Sequence, residues 1–115
     1  IMLLLSIYPV VACKKNKYGE LLLHHVISNY SNSYDYKIII ELLSIYPEGV
    51  NQKNKDGNTP LHIACRYNKI ITVEYLIKNG CNTSILNNDG QSALDITQKY
   101  KSWKTEKILL NMFIK

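Results

Sequence analysis

Arginine is almost missing from this sequence: of its 14 basic residues only Arg66 is not a lysine. That scarcity counts against a reader of DNA bases, which leans on the bidentate guanidinium fork that lysine lacks. Cysteine is scarce too. Cys13, Cys65 and Cys81 are odd in number, far apart and without a CxxC pair, so neither a disulfide framework nor a zinc-type ligand set is suggested. A reducing, intracellular setting, and with it a cytoplasmic location, is the expectation. The 5 glycines form no phosphate-cradling run, and HExxH and GxSxG are missing, which removes the usual signs of catalysis and of a cofactor. The apolar start Ile1 to Ile7 has no basic leader or small-residue cleavage site and is too short to span a bilayer. It reads as the end of a helix.

What is present is ordinary for a folded chain. Hydrophobic residues make up 46% and charged residues 20% of 115 positions, enough for a core without staples and too apolar for disorder. The net charge of +5 reads first as a solvated lysine surface. The alternative is a polyanion-binding face built on Lys99, Lys101, Lys104 and Lys107.

The sequence repeats itself. Leu-Leu-Ser-Ile-Tyr-Pro at Leu4 to Pro9 recurs unchanged at Leu42 to Pro47, a shift of 38 residues that also carries Leu23-His24 onto Leu61-His62. The same shift brings Asn16-Lys17-Tyr18-Gly19 onto Asn54-Lys55-Asp56-Gly57, and a further shift of 33 carries that segment onto Asn87-Asn88-Asp89-Gly90. Thr59-Pro60-Leu61 maps onto Ser92-Ala93-Leu94 by the second shift. At Thr59-Pro60-Leu61-His62-Ile63-Ala64 the chain resembles the ankyrin-repeat family, whose signature is T-P-L-H-x-A in units of about 33 residues. The first copy departs from that pattern with Leu21-Leu22-Leu23-His24 and extra residues around Tyr30-Ser31-Asn32-Ser33-Tyr34, and the third places Asp95 where the others have histidine. The chain thus looks like a fragment of an ankyrin-repeat protein.

Local chemistry divides the chain in the same way. Thr59 is a suitable cap, Pro60 suits a first helical turn, and an inner helix over about 60–67 is expected. Ile70, Val73, Leu76 and Ile77 recur at helical spacing up to the stop at Asn79-Gly80, and Ile38, Ile39, Leu42, Leu43 and Tyr46 form a comparable stripe ended by Pro47. Asp56-Gly57 and Asp89-Gly90 mark hairpin turns, with the aspartates expected to bond their own backbone. The expected fold is an all-α repeat solenoid of about three helix-turn-helix units with hairpin loops, plus an N-terminal partial outer helix. The boundaries are 1–15 for the partial unit, 16–53 for the unit with the insertion, 54–86 for the consensus-like unit and 87–115 for a cap. In the last, Trp103, Ile108, Leu109, Met112 and Phe113 are expected to share an apolar face.

The reactive-looking residues read as structural. His62 and Cys65 share a helical face without a third orienting group, His24 repeats His62, and His25 is expected to be half-buried. Asp95 suits a helix start. The sequence therefore points to no enzyme, no metal and no cofactor. What the resemblance implies is a protein-interaction scaffold whose partner, another protein, touches the hairpin tips and the exposed ends of the inner helices. Carried onto this chain, those positions are Lys55, Asp56, Asn58, Arg66 and Tyr67 in the middle copy and Asn88, Asp89, Gln91, Lys99 and Tyr100 in the third. In the first copy they are Lys17, Tyr18, Glu20, Ser28 and Asn29. Arg66-Tyr67 and Lys99-Tyr100 each set a cation beside an aromatic ring, the residue types that most often anchor interfaces.

Overall fold

The computed structural model describes residues 14–29 and 34–114. The expected partial helix at Ile1 to Ile7 and, of the expected insertion, Tyr30 to Ser33 lie outside the described residues, as do the side chains of Asn29, Tyr34 and Phe113. Among the described residues there are six α-helices and no strand: α1 (Leu22–Asn29), α2 (Tyr34–Ile45), α3 (Pro60–Arg66), α4 (Ile70–Lys78), α5 (Ala93–Lys99) and α6 (Trp103–Ile114). A 3-10 turn, Pro47–Asn51, follows α2. None of these helices is long and apolar enough to cross a membrane.

The start of α3 shows why the sequence folds this way. Pro60 has no N–H to leave unpaired in the first turn, and Thr59, in extended conformation, accepts from the His62 backbone through its hydroxyl. Ser92 does the same for α5, with Asp95 in the reciprocal place: the Asp95 carboxylate accepts from the Ser92 N–H at 2.9 Å. After α3 and α5 the chain reverses through one residue in the left-handed region, Asn68 (φ 55°) and Lys101 (φ 56°). Asparagine adopts that conformation readily; lysine holds it at some cost.

Helices pack in pairs, α1 on α2, α3 on α4 and α5 on α6, and the pairs meet through α1 to α3, α3 to α5, α2 to α4 and α4 to α6. One core runs through them. Leu21, Leu23, Ile27, Ile39, Leu61, Val73, Leu76 and Leu109 are all buried in it. The described residues extend 41 × 27 × 24 Å, longer in one direction than a sphere of equal mass.

Two expectations about packing are corrected. Trp103 is not on the buried face of α6: it is 72% exposed, and Met112 is exposed as well. Leu109 is buried as expected, and Thr105 is buried in place of Trp103, because Thr105 is tied to the preceding pair by its N–H and hydroxyl, both bonded to Asn68 Oδ1 at 3.3 Å. His25 is exposed rather than half-buried, since Leu23, His24, Val26 and Ile27 face the core and leave it on the other side of α1. Pro47 does end α2, and it also opens the 3-10 turn that buries Val50, an element no sequence period announces.

Candidate functional site

Each of the three turns is built on an asparagine. Asn54 Oδ1 accepts the N–H of Asp56 (3.0 Å) and of Asn58 (3.0 Å), and Asn87 Oδ1 accepts those of Asp89 (3.0 Å) and Gln91 (2.9 Å). Asn16 Oδ1 does so for Tyr18 (2.9 Å) and Glu20 (3.0 Å). This corrects the expectation that Asp56 and Asp89 fold the turns by bonding their own backbone. An asparagine at the head of the turn already satisfies those donors, and both carboxylates are left exposed. The sequence carried the signal, since Asn16, Asn54 and Asn87 are aligned by the repeat.

The turns also interlock. Lys55 N–H donates to the Tyr18 carbonyl and Asn88 N–H to the Asp56 carbonyl, each at 3.0 Å. The Asn88 amide adds a bond to the Lys55 carbonyl at 2.8 Å and the Asn87 amide one to Asn58 at 3.0 Å. Gly57, at φ +79°, sits where a Cβ would lie 2.7 Å from the Asn88 backbone nitrogen, so only glycine lets the next turn approach this closely.

Between these turns and the inner helices lies a slot of about 370 Å³. The turns contribute Glu20, Asn54, Asp56, Asn58, Asn87, Asn88, Asp89 and Gln91; the helices and their ends contribute Ser28, His62, Ile63, Arg66, Tyr67, Ile96, Lys99 and Tyr100. Nine of the ten positions expected in the middle and third copies are among them, while Lys55 is not. Of the first copy, Glu20 and Ser28 line the slot and Lys17 and Tyr18 do not. Asn54, Asn87, Ile63 and Ile96 were missed by the sequence reading, which asked which residues would be exposed rather than which would form walls.

At the helix side the Arg66 guanidinium lies over two rings, Tyr67 at 5.3 Å and Tyr100 at 4.9 Å, with Lys99 at 5.5 Å from Tyr100. The sequence suggested two separate cation–aromatic pairs; the fold joins them, because Arg66 reaches the tyrosine at the end of the next inner helix. The rings keep an open surface, 45% exposed for Tyr67 and 41% for Tyr100. The charged side chains of the lining are three carboxylates, Glu20, Asp56 and Asp89, and two cations, Arg66 and Lys99. The slot is therefore not basic, although the chain is.

His24 and His62 are brought beneath the turns, not into a reactive pair. His62 Nδ1 accepts the Thr59 N–H at 3.1 Å, and its Nε2–H donates to the Gln91 carbonyl at 2.9 Å. His24 repeats this with Leu21 at 2.9 Å and Gln52 at 2.8 Å. The acceptor role of Nδ1 requires the neutral ring, and burial pushes both pKa values down, opposed by the carbonyl each ring donates to. Cys65 is fully buried, and desolvation pushes its thiol up to about 12. A thiol so far from ionising is no nucleophile. Among the described residues no group of three or more His, Cys, Asp or Glu is placed to hold a metal ion.

No curated protein matches this sequence. Residues 42–96, which run from the second half of α2 to the first turn of α5, match the family model described as ankyrin repeats in many copies. Capped inner helices, histidines tying each turn to its neighbour and this match agree: residues 42–96 of the chain are ankyrin repeats.

Proposed function

We propose that this chain is a non-catalytic protein-interaction scaffold that holds a partner protein in the slot between its turns and inner helices. Ankyrin repeats are generally protein-protein interaction modules and typically not enzymes. The stacking of inner on inner and outer on outer helices supports an all-α solenoid of about three repeats, read as units at 16–53, 54–86 and 87–115; the partial unit proposed at 1–15 rests on the sequence repeat of Leu4 to Pro9 alone. The observation that carries the binding reading is the slot itself. It gathers Asp56, Asn58, Arg66 and Tyr67 with Asn88, Asp89, Gln91, Lys99 and Tyr100, while the reactive groups beneath it are consumed in structural bonds. Lys55 does not line the slot; its backbone bonds the turns on either side of its own. The polyanion reading has less support: of Lys99, Lys101, Lys104 and Lys107 only Lys99 lines the slot, where three carboxylates would repel such a ligand.

Affinity capture with the chain as bait tests this. The Arg66→Glu, Tyr67→Ala double variant should lose the captured partner while keeping helicity and melting near wild type, as expected for exposed anchors. Retention of the same partner by the variant would place the interface elsewhere.

A further inference from the structure

We infer that the slot is selective for a mixed-charge protein segment, with a carboxylate of the partner seated on Arg66 and a cationic side chain of the partner held against Asp56 and Asp89. This rests on reading the slot as the binding face. Arg66 is the only guanidinium in the chain, and it lies over the rings of Tyr67 and Tyr100. Its side chain has no hydrogen-bond acceptor or ion-pair partner among the described residues. Both rings engage the cation without using its N–H donors, and that planar fork of donors matches a carboxylate. The rings also restrain a long side chain before anything binds, so less freedom is lost on association.

The opposite wall has the opposite sign. Asp56 and Asp89 have been released from turn-building by Asn54 and Asn87, whose amide oxygens take the backbone donors. Both carboxylates are exposed and line the same slot as Arg66. The apolar part of the lining is small, chiefly the largely buried Ile63 and Ile96, so selectivity must come from charge placement, which discriminates between partners more than it raises affinity. A purely acidic segment would be repelled by the turn wall, and a purely basic one by Arg66 and Lys99. A segment carrying both signs satisfies each wall.

The test pans random peptides displayed on phage against the whole immobilised chain, and maps bound peptides by amide chemical shifts. Wild type should select peptides that hold at least one Asp or Glu and one Lys or Arg at a recurring spacing and that shift residues 54–58, 66–67, 88–91 and 99–100. Arg66→Gln should lower the affinity of those peptides about tenfold or more, the scale of an interface hot spot, and panning on it should lose the acidic position alone. Arg66→Lys should not restore it, because lysine supplies charge without the planar fork. Asp56→Asn with Asp89→Asn should lose the basic position alone. Slot-bound peptides of any charge pattern, indifferent to these changes, would overturn the charge selectivity and leave the slot as the binding face. Peptides that shift only other faces, or no selected peptides at all, would overturn both.

Discussion

Gly57 and Gly90 occupy the same place in successive turns and have nearly the same backbone, φ +79° and +74°, yet replacing each by alanine should have very different consequences. At Gly90 nothing lies within 4 Å of the added Cβ, so the effect is the left-handed conformation alone, about 1 kcal/mol. At Gly57 the Cβ would stand 2.5 Å from Asn88 Oδ1 and 2.7 Å from Asn88 N. The second is backbone and cannot swing away. The next turn must move, weakening the Asn88 N–H bond to Asp56 and the Asn88 amide bond to Lys55, each contributing about 1 kcal/mol. Gly57→Ala should thus destabilise by about 3 kcal/mol against about 1 for Gly90→Ala. Urea unfolding of both variants, with wild type as reference, measures the difference directly. Equal losses at the two sites would refute the claim that turn-to-turn contact, and not the turn itself, is what Gly57 serves.

Acidification should weaken the fold through His24 and His62. Their folded pKa values lie below the ordinary 6.5, so the unfolded chain takes up protons first and stability falls as pH drops from 6.5 toward the depressed values. Unfolding midpoints measured from pH 6.5 to about 5 should fall less in His24→Gln, His62→Gln than in wild type, and parallel lines would contradict the assignment. Cys65 should resist alkylation in the native chain near neutral pH and react once denatured, since its thiol is pushed to about 12; mass spectrometry of the peptide containing it reads this out. Leu61→Ala or Leu76→Ala should each destabilise by about 2–5 kcal/mol, because both are fully buried where helix pairs meet, and near-wild-type melting of both would contradict the packing described.

Much of the middle unit was legible because its chemistry is local. Thr59, Pro60 and His62 cap one helix, and the apolar spacing of Val73 and Leu76 needs only a helical period to be read. The turn positions were legible as well, but their mechanism was misread: Asp-Gly is the familiar turn pair, and the asparagine two residues earlier does the bonding. The apolar pattern of α6 predicts a place for Trp103 on its buried face. Its exposure follows from where α6 meets Asn68, a contact between residues 37 apart in sequence. The same holds for Arg66 and Tyr100: each was a candidate alone, and only the fold brings the ring of one unit under the cation of another. Such juxtapositions leave no period or spacing to read.

The central claim is that a partner is held between the turns and the inner helices, and hydrogen exchange of the chain with and without its captured partner tests it most directly. Binding should slow exchange at 54–58, 87–91 and the helix ends around Arg66 and Lys99, where the slot residues lie. Protection confined to the outer helices Ile70–Lys78 and Trp103–Ile114 would contradict the account.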